Sequence, residues 1–223
     1  MFKLTPEKAL IAEELAVIAD LHLGIENAMQ NVGVAIPRMQ IVDVIRRVNE
    51  IVNKYEIERL IIAGDLKHDF AGNLPYEWDD VRGFLDSIDV EVSVIRGNHD
   101  NFLSKILSEY SIELKEYEQL GDYYIVHGHK DLGFENLIMG HEHPAVKFRH
   151  GGAIYSYPCF LIVDKTKFVL PAFSSLVSGS DVLQGESLSP LLKDEKKIEA
   201  YALEDEVVYL EDLETLKKIL KTN

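Results

Sequence analysis

At 223 residues, with 47% hydrophobic and 27% charged residues, the chain has material for one large α/β domain with a sizeable core, which excludes global disorder. Cys159 is the one cysteine, so an intramolecular disulfide and a cysteine-based zinc site are both excluded. A net charge of −15 excludes a non-specific polyanion coat, although a bound pair of divalent metals would supply the local positive charge that a phosphate-bearing substrate needs.

The N-terminal stretch MFKLTPEKALIAEELAVIAD is interrupted by glutamates before a signal-peptide core or a membrane span can form. The expectation is a soluble, cytoplasmic protein with no membrane partner. LAVIAD (15–20) is a short apolar run that ends in aspartate, RLIIAGD (59–65) repeats that form, and VEVSVIRGNHD (90–100) repeats it again. Each reads as a buried strand that delivers polar residues into a loop at its C-terminal end. Between the first two, Ile41, Val44, Ile45, Val48, Ile51 and Val52 recur at helical spacing, with Pro37 suited to the first turn. A second helix is expected over 77–88 and a shorter one over 101–110.

Strands alternating with helices imply right-handed crossovers and a mainly parallel sheet, whose ligands bind beyond the carboxyl ends of the strands. After residue 110 the rhythm changes to closely spaced strands, in IELKEY, YYIVHG, LIMGH, AIYSY, FLIVD and FVLP, so a second sheet packed on the first is expected. Residues 174–195 read as a long loop. The tail reads as a hairpin turning near Asp205 and a helix from about Glu211. The whole of 1–223 is expected to be one domain, with 194–223 packed on it.

Five segments carry the chemistry: ADLHLG with Asp20 and His22, AGDLKHD with Asp65, RGNHD with Asn98, His99 and Asp100, VHGH with His127, and MGHEHP with His141 and His143. Of eight histidines, five occupy those positions, His68 and His129 lie in the same segments, and His150 stands apart. Imidazole nitrogens with carboxylate or amide oxygens, and no thiolate, suit manganese, iron, zinc or nickel. Residues i and i+2 on an extended segment face the same side, which would let Asp20 and His22 share a metal and let His141 and His143 serve neighbouring ones. The carboxylate of Asp65 can bridge two ions roughly 3.5 to 4 Å apart. Such a pair would polarise a phosphoryl group and hold a hydroxide in line for attack. His99 beside Asp100 fits an imidazolium held by a carboxylate, the acid for the leaving group.

In these five ordered motifs the sequence resembles the calcineurin-like metallophosphoesterases, whose signature runs D-x-H, GD-x-x-D, GNH-[DE], H and GH-x-H. The resemblance covers roughly residues 10–175. It implies an α/β fold, a four-layer α-β-β-α sandwich of two mixed sheets flanked by helices. It also implies two divalent ions, manganese first and iron, zinc or nickel accommodated. One ion would be held by Asp20, His22, Asp65 and His143, the other by Asp65, Asn98, His127 and His141, with His99 as proton donor.

His127 is preferred to His129 because the family's ligand immediately precedes a glycine. The second motif departs from the pattern, with His68 where the family has aspartate and Asp69 one place later. His68, His129 and Arg38 are candidate substrate contacts, and Gln40 shares the helix start with Arg38. Lys67, Arg96 and Arg149 read as ordinary surface cations. The phrases ALIAEELAVIADLHLG and GVAIPRMQ are similar to a prokaryotic branch that includes DNA-ligase-associated phosphoesterases and archaeal relatives.

The implied activity is hydrolysis of small or nucleotide-derived phosphodiesters. The alternatives are a DNA or RNA nuclease working the same way, and, from another class, a metal-bound scaffold without catalysis. The nuclease reading is set second because no basic, aromatic-interleaved stretch is evident. A phosphodiester, a nucleotide or a short nucleic acid is the expected partner, and self-association is left open.

Overall fold

The computed structural model describes residues 1–69, 75–184, 187–193 and 197–221, with the side chains of Pro75, His150 and Lys221 outside that description. The expected boundary at 194 and the side chain of His150 therefore lie outside the described residues.

The first sheet takes its strands in sequence order: β1 (Lys3–Leu4), β2 (Leu10–Ala12), β3 (Leu15–Ile18), β4 (Arg59–Ala63), β5 (Glu91–Ile95) and β6 (Leu114–Lys115). β3 to β6 pair in parallel, as the alternation of strands and helices requires, while β1 and β2 add an antiparallel edge. The crossovers carry α1 (Ile25–Asn31), α2 (Gln40–Tyr55), α3 (Pro75–Asp86) and α4 (Leu103–Leu107).

The second sheet contains β7 (Glu118–Leu120), β8 (Tyr123–Val126), β9 (Leu137–Met139), β10 (Pro144–His150), β11 (Ala153–Val163), β12 (Lys167–Val169), β13 (Ser180–Asp181), β14 (Ile198–Leu203) and β15 (Val207–Asp212), followed by α5 (Leu213–Lys221). It is mixed, with β8–β9, β9–β12 and β10–β13 parallel and the remaining pairs antiparallel.

The apolar runs of the central strands have no polar side because both faces are covered. Leu60 and Ile62 of β4 join the core under α2, α3 and α4, whereas Ile61 and Ala63 face Ile125, Ile138, Phe160 and Leu170 of the second sheet region. A third core lies between the second sheet and α5, with Leu161, Val163 and Ala200 against Leu213 and Leu216. These three cores separate four layers, helices, sheet, sheet and helix. No helix among the described residues is long and apolar enough to cross a membrane.

Two differences from the sequence reading concern helix starts. α2 begins at Gln40 instead of Pro37, because Glu26 Oε1 accepts the N–H of Met39 (2.6 Å) and of Gln40 (2.7 Å) and so caps the helix from another element. α1 was not expected: it is only seven residues long, too short for a periodic signal, and starts directly after the first motif.

Candidate metal centre

The motif loops leave the strand ends and lock onto one another. Backbone N–H groups of Asp20, His22 and Leu23 donate to the carbonyls of Gly64, Asp65 and Leu66 at 3.1, 2.9 and 2.9 Å, so the first motif lies zipped along the second. Two glycines make the approach possible. A Cβ on Gly64, which has φ +86°, would fall 2.3 Å from Nδ1 of His127, and one on Gly97 would fall 2.0 Å from Oδ1 of Asp65.

Asp20 and His22 do not converge by alternating on an extended segment. Both occupy the left-handed region, at φ 59° and 48°, as do Asp65 (53°), His141 (68°) and His143 (47°). Each such residue costs about 1 to 3 kcal/mol and persists only where its surroundings over-determine it. The hydrogen bonds between loops supply that constraint, including two from the N–H of His141 to the carboxylate of Asp20 at 3.0 and 3.3 Å.

Two donor groups that share Asp65 result, beside a trio of His22, His68 and His99 whose donor atoms also lie within 4.8 Å of one another. In the first, one donor atom from each of Asp20, His22, Asp65 and His143 lies within 4.8 Å of every other. His22 Nε2 is 3.3 Å from His143 Nε2, and His143 Nε2 is 3.2 Å from Asp20 Oδ1. In the second, His127 Nε2 lies 2.9 Å from Asn98 Oδ1, 3.2 Å from His141 Nδ1 and 3.4 Å from Asp65 Oδ2. Separations of roughly 3 to 3.5 Å are those of donor atoms sharing one ion at about 2.1 Å. Asp65 belongs to both groups: Oδ2 is 3.8 Å from His22 Nε2 as well, while Oδ1 accepts the N–H of His99 at 2.9 Å. The donor chemistry and the spacing fit a pair of divalent ions.

The electrostatics reflect the crowding. Burial pulls the His22 and His141 imidazoles down to about 4, against the partial relief of the nearby carboxylates. Burial also opposes charge on His127, but its hydrogen bond to Asp65 and the charges of Asp20 and Asp65 outweigh it and raise the ring to about 9. Asp65 is held well below the usual carboxylate range, because His127, His22 and His99 overcome its desolvation. His127 Nδ1 donates to the carbonyl of Ala63 at 3.0 Å, which turns Nε2 into the centre.

His99 and Asp100 do not form the expected pair. The Asp100 carboxylate is fully buried and accepts the N–H groups of Gly97 (2.8 Å), Asp65 (2.9 Å), Leu66 (3.0 Å) and Lys67 (3.3 Å), so it shapes the loop that presents Asp65. The His99 imidazole uses Nδ1 on the carbonyl of His68 and directs Nε2 toward the centre, 3.9 Å from Asp65 Oδ2. Arg38, a candidate substrate contact, is committed elsewhere: its guanidinium grips the Asp80 carboxylate at 2.6 and 2.7 Å and ties the start of α2 to α3. His129 lies beside the second group, its ring 5.3 Å from that of His127, with a buried Nδ1 that has no hydrogen-bond partner among the described residues. Lys67, read as a surface cation, is fully buried and bonds through Nζ to the carbonyl of Asp69. Arg96 pairs with Glu116 at 2.9 Å.

Two supporting residues left little signal in the sequence. Gln40 is buried and its Nε2 donates to the carbonyls of Leu21 (2.9 Å) and His22 (3.0 Å) and to Ser174 Oγ (3.1 Å), bracing the first motif. A glutamine at a helix start carries no mark of burial. Glu142, enclosed between His141 and His143, accepts the N–H groups of Leu188 and Ser189 at 3.2 and 3.0 Å and anchors the last motif to the following loop. Its place between two candidate ligands was the available hint.

A family model described as calcineurin-like phosphoesterase matches residues 14–196. Among solved structures, the chain is similar to the nuclease MPE of Pseudomonas putida, with 23% identity, a TM-score of 0.68 and 94% of each chain covered. It is also similar to Yfce, a phosphoesterase from E. coli, with 17% identity, a TM-score of 0.42, and 84% of this chain and 87% of that one covered. Sequence comparison with curated proteins finds no significant match.

Proposed function

The chain belongs to the calcineurin-like phosphoesterases, and from that premise we propose that it is a two-metal phosphodiesterase acting on small or nucleotide-derived phosphodiesters. The observation that carries this reading is the Asp65 carboxylate shared by two converging donor groups, with His99 Nε2 directed to the same point. Asp20, His22, Asp65 and His143 would hold one ion, and Asp65, Asn98, His127 and His141 the other. The donor set suits manganese, with iron, zinc and nickel also compatible. When bound, the ions supply Lewis-acid charge to the phosphoryl group and a nucleophile at neutral pH.

The protein's own residues do the rest. The hydrogen bond from Nδ1 to a backbone carbonyl keeps a proton on that side of the His99 ring, so Nε2 is the atom that gives a proton to the departing oxygen. Asp100, acting through the backbone, keeps the 65–67 loop in the conformation that aims Asp65.

A second reading, nuclease action, gains one observation. The β10–β11 hairpin begins at Pro144, directly after His143, and stacks Phe148 on Tyr155 and Tyr157 at 5.5 and 6.0 Å. Lys147 and Arg149 pair in register with Ser156 and Ile154, on the opposite face. Aromatic and basic residues therefore alternate in KFRHGGAIYSY but lie on opposite faces of the hairpin, and Lys147 Nζ donates to the carbonyl of Gly179 at 2.8 Å, so the small-substrate reading stays first.

The deciding experiment is hydrolysis by manganese-reconstituted protein of an aryl phosphodiester, an aryl phosphomonoester, cyclic nucleotides, and single- and double-stranded DNA, with Asp65→Asn as control. Diester turnover without DNA cleavage supports the small-substrate reading. DNA cleavage lost in the control establishes the nuclease, and metal uptake with no turnover of any substrate establishes the scaffold. In metal titrations, His127→Ala loses one equivalent while His129→Ala keeps both; loss only at His129 would reverse the assignment.

A further inference from the structure

His68 replaces a residue that the family pattern would make acidic, and the structure places it between two working side chains. Its Nδ1 lies 3.4 Å from His22 Nδ1, and its backbone carbonyl accepts from His99 Nδ1. The His68 ring stands edge-on to that of His22, with centroids 5.3 Å apart, and stacks on that of His99 at 5.5 Å. Its own N–H donates to the carbonyl of Leu23 at 3.0 Å, next to the bridge between Leu23 and Lys67, so its backbone is fixed against the first motif.

Proton accounting then restricts the tautomers. His22 offers Nε2 to the first donor group, so that nitrogen must present a lone pair and its ring proton must sit on Nδ1. His22 is buried, and a buried N–H without an acceptor is costly. The atom facing it is His68 Nδ1, which must therefore be unprotonated, with the His68 proton on Nε2. A metal-ligating histidine ordinarily gives its second N–H to a carboxylate, a carbonyl or water; here the acceptor is a neutral imidazole.

We propose that His68 is the positioning residue of this centre: its side chain fixes the tautomer and ring orientation of His22, and its carbonyl does the same for His99. This rests on the two-metal reading above. The two roles separate by substitution, because every variant at 68 keeps the carbonyl. His68→Ala removes the acceptor for His22 alone. His68→Asn restores one, since an asparagine amide oxygen occupies nearly the position of an imidazole Nδ1.

The competing role is substrate contact, because His68 also lines a cavity of about 260 Å³ with Gly24, Ala28, Asn31, Asp69, Tyr76, Glu77 and His99. The test titrates metal-free full-length protein with MnCl2 by calorimetry, and measures kcat and KM across aryl phosphodiesters of graded leaving-group pKa. For His68→Ala, the affinity of one ion falls about 10- to 100-fold and the other stays within about threefold of wild type, while KM and the leaving-group dependence are unchanged at saturating metal. His68→Asn returns the weakened affinity to within about threefold of wild type. Wild-type metal affinity in His68→Ala with a raised KM would make His68 a substrate contact and overturn the proposal, as would failure of His68→Asn to rescue. A wild-type protein that takes up no divalent ion would overturn the two-metal reading itself, a separate outcome from either.

Discussion

Asp65→Asn is expected to abolish tight uptake of both ions and to lower phosphodiester turnover by about 10³-fold or more, a barrier increase of about 4 kcal/mol. Oδ2 of Asp65 lies 3.4 Å from His127 Nε2 and 3.8 Å from His22 Nε2, so one atom serves both donor groups. An asparagine keeps the shape and can still accept the N–H of His99 through Oδ1, which preserves the loop. What it loses is the anionic charge, and in place of the shared oxygen it sets an NH2 group whose positive end faces the cations. The effect is therefore on the centre and not on folding. Metal analysis, activity and circular dichroism on the same sample check it; a variant with two bound ions and normal turnover would refute the bridging role.

His99→Ala should behave in the opposite way toward metal. It keeps both ions, because the His99 ring belongs to neither four-residue donor group, and slows hydrolysis of substrates with poor leaving groups by about 10²- to 10⁴-fold. An activated aryl leaving group, which departs without protonation, should be slowed far less. The contrast between the two substrates isolates proton donation from a general loss of binding. Loss of metal in this variant would mean that the ring is a ligand, and equal slowing of both substrates would mean that it does not deliver the proton.

Much of this centre was readable before any fold was known. The chemical types in D-x-H, GD, GNH and GHEH already marked the candidate donor atoms and left out thiolate chemistry. The apolar runs of β3, and of β4 after Arg59, marked strands covered on both faces, because only a doubly covered strand can afford no polar side. Expectations failed where a residue's partner is distant in sequence. Arg38 read as a candidate substrate contact at a helix start, but its guanidinium is held by Asp80, 42 residues away. Asp100 seemed placed to hold its neighbour His99, yet it turns back 33 to 35 residues to three backbone N–H groups. Gln40 gave no sign that it would brace two carbonyls of the first motif.

Side-chain chemistry and strand periodicity are local properties, so candidate metal-binding atoms and the loops that carry them could be marked from the residues alone. Tertiary structure alone decided how those atoms converge. Five candidate ligands sit in left-handed backbone that no local preference favours, and they are held there by hydrogen bonds between loops from both sheets. Such strain is stable only when the whole fold supplies the restraint. The sequence could place the histidines at strand ends, but which nitrogen each turns toward the centre depends on packing across 46 residues for His22 and His68, and across 64 for His127 and Ala63.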